Sequence, residues 1–240
     1  MRLYMEEKQI NNSKLLIFDI DGTLCDINKP INDDLKNTLV KVSQHHQVVL
    51  ASGKPFGYIA GFIRQLGLHN CIVIGENGAT IMYNASFPPN DYYKIDVSKE
   101  VLDYFYTIKT QFSNEFGTTI WFQPNEVNLT VFPINILDID KVHTFAKQFE
   151  HPNINIYYHK DSVDFTPKGF DKGTAVDILM EKFGYTRENI FVFGDGSNDL
   201  PMLLKTQNSF LVNSKLKGFE PREYFHSYNI LKEFIEKFIK

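Results

Sequence analysis

Two aspartates separated by one residue follow directly on an apolar run near the start of the chain. Asp19 comes after residues 15–18, and Asp21 stands two positions later, before Gly22 and Thr23. Ligands of open α/β sheets bind beyond the carboxyl ends of the strands, which is where Asp19 would lie. Two carboxylates this close repel each other, so they need a cation or a shared proton. A helix-capping turn with two exposed acids is the alternative interpretation.

A second acidic cluster also follows an apolar run. The sequence Gly-Asp-Gly-Ser-Asn-Asp occupies residues 194–199, directly after the run 190–193. Oxygen ligands from Asp19, Asp195 and a backbone carbonyl suit Mg²⁺, which binds few carboxylates together with water and substrate phosphate. An EF-hand is the competing metal site, but no glutamate stands at position twelve of a loop that begins at Asp195. The two clusters together favour a magnesium site over a simple turn.

Two further segments bring a hydroxyl and positive charge. Ser52, Gly53 and Lys54 join an apolar run to a helical pattern, where backbone N–H groups and the helix N-terminus would bind an anion. Lys172 precedes another helical pattern and adds a cation. The simpler interpretations, a helix N-cap for Ser52 and a solvated lysine for Lys172, stay open at this point.

These candidates need elements that position them. Continuous apolar runs, without alternation, predict strands that are buried on both faces, as in a parallel sheet. Helical patterns lie between the runs, so the order predicts an α/β, doubly wound parallel-sheet fold. The strand-like runs are 15–18, 48–50, 72–74, 190–193 and 210–212, and the helical patterns are 31–42, 56–66, 175–183 and 230–238.

The alternation of strands and helices stops between residues 84 and 168. This segment opens with the turn-forming sequence Phe-Pro-Pro-Asn at 87–90 and then shows the order helix, strand, strand twice. It predicts an α+β insert with an antiparallel sheet, inserted into a core of residues 1–83 and 169–240. The chain length of 240 residues, about 1.6 ordinary domains, agrees with this division.

Composition narrows the function classes. Hydrophobic residues at 43%, charged residues at 22% and a net charge of −4 argue against a disordered chain and against a nucleic-acid or anionic-membrane binder. Cys25 and Cys71 lack zinc-site spacing and fit a reducing cytosol. With neither a signal peptide nor a membrane-length apolar run, we expect a cytoplasmic protein, monomeric or homodimeric.

In this order, the four groups of residues closely resemble the motifs of the haloacid dehalogenase superfamily of phosphatases. Residues 19–23 match DxDGT, Ser52 and Lys172 match the second and third motifs, and residues 194–199 match GDxxND. Gly-Glu-Asn-Gly-Ala at 75–79 and the stretch 166–173 resemble the Cof-like branch, which carries a large, type IIB-like α+β cap. The resemblance implies a Rossmann-like core, Mg²⁺ as cofactor, and hydrolysis of small phosphomonoesters of the sugar phosphate or phosphoglycolate type.

The resemblance also implies a role for each matched residue. Asp19 would attack phosphorus and form an aspartyl-phosphate, while Asp21 would protonate the leaving oxygen and then activate water. Ser52 and Lys172 would hold the phosphoryl group as catalytic residues. The implied metal ligands are Asp19, Asp21, Asp195 and Asp199, and the implied phosphate or substrate contacts are Ser52, Gly53, Lys54, Asn77, Lys172 and Asn198.

Two of these residues carry an open question. Cof-like relatives often have arginine where Lys54 stands, and lysine keeps the charge but loses the bidentate fork. Asn77 either contacts the substrate or forms a hairpin turn with Gly78, because Asn-Gly is a strong turn signal.

The alternative activity is that of a phosphosugar mutase of the phosphomannomutase type. In such mutases cap arginines bind the distal phosphate, but residues 84–168 contain no arginine, seven lysines and eleven acidic residues, a net charge of −4. A negative cap favours a monophosphate substrate. Trp121, Tyr157, Tyr158 and His159 are candidates to contact its body, although aromatic residues on such strands more often belong to a core. A non-catalytic phospho-receiver is the third hypothesis, and residues 74–76 lack the aspartate that it would need.

Overall fold

The computed structural model describes residues 13–68, 70–85 and 91–239, so the expected turn at 87–90 lies outside the described residues. The strands are β1 Leu15–Asp19, β2 Gln47–Ala51, β3 Cys71–Gly75, β4 Thr80–Met82, β5 Tyr92–Lys94, β6 Ile120–Phe122, β7 Leu129–Pro133, β8 Ile154–Tyr158, β9 Val163–Pro167, β10 Ile190–Gly194, β11 Ser209–Val212 and β12 Glu223–Phe225. The α-helices are α1 Asp33–Val42, α2 Phe56–Leu66, α3 Lys99–Phe116, α4 Ile139–Ala146, α5 Lys172–Phe183, α6 Leu200–Leu203 and α7 Tyr228–Ile235.

The chain divides into two compact units, a core and an insert that comprises Lys94–Phe170. The insert begins later than residue 84, because β4 and β5 first extend the edge of the core sheet. Asp91 therefore belongs to the core. With seven lysines and ten acidic residues, the insert as the structure bounds it has a net charge of −3.

The core is built on one eight-stranded sheet in the order β12-β11-β10-β1-β2-β3-β4-β5. All pairs from β12 to β3 are parallel, and β4 runs antiparallel to β3. The α/β fold with a parallel-dominated sheet is thus confirmed. The sequence did not predict β5 and β12, because each is only three residues long and neither forms a continuous apolar run.

Hydrophobic side chains fill both faces of this sheet. In β1, Leu16 and Phe18 enter one core cluster while Leu15 and Ile17 enter the other, and all four are fully buried. The parallel register sets Phe193 between Phe18 and Phe210, and its ring stacks on theirs at centroid distances of 4.5 and 4.9 Å. Burial of each such side chain contributes about 2 kcal/mol, so the central strands hold the site residues on a rigid base.

The insert has a four-stranded antiparallel sheet in the order β6-β7-β9-β8 and two helices, α3 and α4. The order helix, strand, strand occurs twice, as the pattern predicted. Its core includes the apolar positions of α3, which are Val101, Phe105, Ile108 and Phe112. Across the described ranges, no helix combines the length and the apolar character that crossing a membrane requires.

Candidate active site

The site lies where the strand order of the core sheet reverses direction. β1 lies between β2 and β10. The strands β2 and β3 follow on one side of it, and β10, β11 and β12 follow on the other side. Asp19 is the last residue of β1, level with Ala51 at the end of β2. Ser52 is the first residue after β2, and Asp195 is the first residue after β10. Residues distant in sequence are therefore gathered at one carboxyl edge, at the switch point where α/β sheets bind ligands.

Lys172 is the buried cation of this edge. Its ammonium lies 2.7 Å from Oδ1 of Asp19 and 2.7 Å from Oδ1 of Asp199, and its side chain is fully buried. Lys172 is the first residue of α5, which a capping box between Asp171 and Thr174 fixes in place. Burial alone would lower the pKa of Lys172, but the two carboxylates outweigh burial and raise it above the usual lysine range. The solvated-lysine interpretation is wrong, because the helix start points this side chain inward.

Asp195 joins the two carboxylates that contact Lys172 in one acidic cluster. Oxygen atoms of Asp19, Asp195 and Asp199 all lie within 4.8 Å of one another. Burial raises the pKa of Asp19 well above its usual range, and the nearby charge of Asp199 adds to the effect, while Lys172 opposes it. One ammonium leaves two of the three negative charges unbalanced. Hard oxygen donors with this excess charge fit a divalent cation such as Mg²⁺.

Asp199 also organises the loop that carries Asp195. Its Oδ2 accepts the backbone N–H groups of Asp195 and Gly196, each at 2.9 Å, while Oδ1 accepts Lys172. Both oxygens of this fully buried carboxylate are therefore engaged within the protein. The geometry makes Asp199 a positioning residue for Lys172 and Asp195 more than an open metal ligand.

Gly22 allows the first and fourth motifs to approach each other. It has a φ of +93°, and a β-carbon there would lie 2.3 Å from Oδ2 of Asp195. Any larger residue would combine backbone strain with displacement of the Asp195 carboxylate. Gly78 has a similar function that sequence reasoning missed, because its β-carbon would lie 2.1 Å from the carbonyl oxygen of Asp171. The Asn-Gly dipeptide indicated the turn at this position but not the contact with Asp171.

The segment Ser52-Gly53-Lys54 forms a tight turn beside β3, in which Ser52 is buried and Gly53 and Lys54 are partly exposed. The N–H of Ser52 donates to Ile74 at 2.9 Å, and its Oγ accepts the N–H of Lys54 at 3.2 Å. Ser52 is not the N-cap of α2, since Pro55 occupies that position and supplies no side-chain cap. The helix α2 thus begins directly after Pro55, at the end of the Ser52 turn.

The carboxylate of Asp21 does not belong to the three-carboxylate group. Its Oδ2 lies 3.9 Å from the ammonium of Lys54, and about a quarter of each side chain is exposed. Asp19 and Asp21 thus face different surroundings although one residue separates them. Asp19 is buried against Lys172, whereas Asp21 lies at the solvent-accessible side of the site.

Asn77 lies both in a hairpin turn and at the site. Residues 76–79 connect β3 to the antiparallel β4, and Asn77 adopts a φ of +54° there. Its N–H donates to the carbonyl of Ser52 at 3.0 Å, and its Oδ1 accepts Nδ2 of Asn198 at 3.3 Å. A β-carbon at Gly53 would lie 3.2 Å from the Asn77 amide. Asn77 therefore links the Ser52 turn to the fourth motif, which the sequence alone did not indicate.

The aromatic candidates of the insert are spread over its sheet. Trp121 is 48% exposed and contacts the ring of Phe132, while Tyr158 is 45% exposed and contacts His143. These two are not core residues. His159 lies 3.1 Å from a carboxylate oxygen of Asp164, and Tyr157 is half-buried on β8.

Known proteins share this sequence pattern. The sequence profile of the haloacid dehalogenase-like hydrolases matches residues 16–132 and 123–217. A phosphoglycolate phosphatase of Thermoplasma volcanium is 30% identical over 234 residues, which cover 91% of this chain and 99% of that protein. A 5-amino-6-(5-phospho-D-ribitylamino)uracil phosphatase of Bacillus subtilis is 24% identical, with 79% and 82% of the two chains covered.

The fold is shared with solved structures as well. A haloacid dehalogenase-like hydrolase from Bacteroides thetaiotaomicron aligns with a TM-score of 0.74 at 18% identity, covering 94% of this chain and 99% of its own. At 18% identity, this structural similarity is evidence for a shared fold alone.

Proposed function

Because this chain belongs to the haloacid dehalogenase-like hydrolases and is a phosphatase, we propose that it is a Mg²⁺-dependent hydrolase of small phosphomonoesters that uses an aspartyl-phosphate intermediate. The observation that carries the proposal is the ammonium of Lys172, held at 2.7 Å from both Asp19 and Asp199 beside a third carboxylate. This arrangement supports a buried nucleophile and a cation site at one strand edge.

Asp19 is the nucleophile of the proposed reaction. Lys172 hydrogen-bonds Oδ1, so the carboxylate is fixed in one orientation and Oδ2 attacks phosphorus in line with the leaving oxygen. The bond between Asp19 and phosphorus forms while the ester P–O bond breaks. The positive charge of Lys172 lessens the repulsion between the carboxylate and the incoming phosphate dianion.

Asp21 is the proton carrier. Its carboxyl group lies at the accessible side of the site, where it donates a proton to the leaving oxygen in the first step. In the second step it takes a proton from water as the water oxygen bonds to phosphorus and the Asp19–phosphorus bond breaks. Free phosphate and the unmodified enzyme result. We assign Asp21 this proton transfer in place of side-chain metal ligation, because its carboxylate lies beside Lys54.

Asp19 and Asp195 are the side chains that would hold the metal ion. Asp199 would position them through its hydrogen bonds to Lys172 and to the backbone of Asp195. When bound, Mg²⁺ would neutralise phosphate oxygens and help to align the phosphoryl group. The Ser52 turn and the start of α2 would complete the phosphate site.

Small phosphorylated metabolites are the substrate class that the relatives support. Two of them are named as phosphatases of phosphoglycolate and of a phosphorylated ribitylamino-uracil. The insert, which we propose as the specificity domain, has no arginine and a net charge of −3. This composition disfavours a second phosphate and hence the mutase activity.

The test is phosphate release by the purified chain from p-nitrophenyl phosphate and a panel of phosphorylated metabolites. Steady release that requires Mg²⁺ and stops with EDTA is expected. Little free phosphate, with turnover only after addition of a sugar bisphosphate, would indicate a mutase. No turnover under any condition would overturn the proposal.

A further inference from the structure

Ser214 lies in the loop after β11, next to the loop that carries Asp195. Its Oγ donates a hydrogen bond to the backbone carbonyl oxygen of Asp195, which is 19 residues earlier in the chain. The strands β10 and β11 run parallel, with Gly194 beside Leu211, so both loops leave the sheet at the same carboxyl edge. The hydroxyl group of Ser214 therefore connects the loop of the proposed metal ligand to the neighbouring strand.

The backbone of Asp195 is held by two side chains. Asp195 stands between Gly194 and Gly196, and glycine has more backbone freedom than any other residue. Its N–H donates to Oδ2 of Asp199 at 2.9 Å, and its carbonyl oxygen accepts the hydroxyl of Ser214. Because the carboxylate is attached to this backbone, the two hydrogen bonds limit the directions in which it can point.

Ser214 itself is anchored to the edge of the core sheet. Asn213, directly before it, has a φ of +51°, a conformation that asparagine adopts more readily than most residues. The N–H of Asn213 donates to the carbonyl oxygen of Phe225 at 2.8 Å. Val212 and Phe225 are buried and pair in register between β11 and β12. The hydroxyl group is thus held in place by the sheet itself.

A serine hydroxyl that donates to a backbone carbonyl is often no more than a structural contact. Ser43 is such a case, since its Oγ donates to the carbonyl oxygen of Val40 at 2.7 Å, at the end of α1. The contact of Ser214 differs in its acceptor, which belongs to a residue whose carboxylate would bind the metal ion. Loss of a group that orients a metal ligand typically lowers metal affinity or activity by about 10–100-fold.

We propose that Ser214 is a positioning residue that increases the Mg²⁺ affinity of the site by holding Asp195 in its metal-binding orientation. The inference rests on the proposed function, in which Asp195 is a ligand of the metal ion. Without the hydroxyl group, the loop between Gly194 and Gly196 would also adopt orientations in which the carboxylate points away from Asp19. The metal ion would then bind only the competent fraction of the protein, so its apparent affinity would fall.

The experiment is thermal unfolding over a Mg²⁺ titration, without substrate and at matched ionic strength. An ion that binds only the folded state raises the Tm once its concentration exceeds its Kd. In Ser214→Ala, the curve of Tm against Mg²⁺ concentration should move to about tenfold higher concentration. Ser214→Thr should remain close to the wild-type curve, since threonine carries the same hydroxyl donor.

Phosphate release from p-nitrophenyl phosphate provides a second measurement. The Mg²⁺ concentration that gives half of the maximal rate should rise about tenfold in Ser214→Ala, and saturating Mg²⁺ should restore most of kcat. Ser43→Ala is the matched control, because it also removes a partly buried hydroxyl group that bonds a backbone carbonyl. Both alanine variants should lose similar stability in EDTA, but the Mg²⁺ curve of Ser43→Ala should coincide with that of the wild type.

A merely structural Ser214 would lower the Tm in EDTA and leave the Mg²⁺ dependence unchanged. A Mg²⁺ curve of Ser214→Ala within about twofold of the wild-type curve would overturn its role as a positioning residue. An equal displacement of the curve in Ser43→Ala or in Ser214→Thr would do the same. The proposed function fails separately, if Mg²⁺ neither raises the Tm of the wild type nor supports its release of phosphate.

Discussion

Asp19 and Asp21 are one residue apart yet have distinct surroundings, and substitution should distinguish their roles. Asp19→Asn removes the nucleophile, so we expect turnover of p-nitrophenyl phosphate to be lost, while Asp195 preserves part of the Mg²⁺ affinity. Asp21→Asn removes the proton carrier and should lower kcat by about 10²–10⁴-fold. Phosphate release measures both, and the exposed Asp33→Asn serves as control. Near-normal turnover in either site variant would contradict the assignment.

Lys172 should be as important for stability as for chemistry. Lys172→Met leaves Asp19 and Asp199 buried without their cation, and breaking a buried ion pair on one side costs about 3–5 kcal/mol. We expect a loss of this size in the free energy of unfolding, measured by urea denaturation in EDTA. Mg²⁺ should restore part of it, because the metal supplies positive charge. Unchanged stability in EDTA would show that the carboxylates do not depend on Lys172.

At the level of elements, the turn after β1 lies close to the loop after β10, and Gly22 is the point of contact with Asp195. Gly22→Ala and Gly67→Ala both place a side chain at positive φ, with values of +93° and +77°. Only at Gly22 does the new β-carbon meet Asp195, whereas the space around Gly67 is open. Both variants should lose about 1–2 kcal/mol of stability through backbone strain.

The two glycine variants should differ in phosphatase activity and in Mg²⁺ affinity. Both quantities should fall at least about tenfold in Gly22→Ala alone, because only this substitution displaces the Asp195 carboxylate. Denaturation and Mg²⁺ titration of phosphatase activity measure the two effects. Equal activity losses in both variants would refute the close-approach argument.

At the level of the whole molecule, metal binding and folding should be linked. A ligand that binds only the folded state at 100 times its Kd adds about 2.7 kcal/mol of stability. Mg²⁺ should therefore raise the Tm of the wild type by several degrees relative to EDTA at matched ionic strength. Asp195→Asn removes one of the three clustered carboxylates and should abolish most of this shift. Thermal unfolding followed by circular dichroism tests this, and an equal shift in both proteins would place the metal elsewhere.

The division of the molecule into core and insert could be predicted in part from the sequence. The break in strand–helix alternation predicted an α+β insert, and the four-stranded antiparallel sheet has that form. Its first boundary could not be read, because β4 and β5 are three-residue strands stabilised by pairing at a sheet edge. The cytoplasmic location expected from the cysteines stays a prediction.

The sequence by itself determined the class of fold and identified the chain as a phosphatase, because both depend on local information. Continuous apolar runs specify parallel strands, and acids or hydroxyls directly after them must lie at the carboxyl edge of the sheet. The tertiary structure alone decided which of these groups meet. Lys172 reaches Asp19 across 153 residues of chain, and Asp21 faces Lys54 and not the other acids. Such contacts depend on strand register, on helix start points and on glycine turns, which together orient side chains from elements that are far apart in sequence.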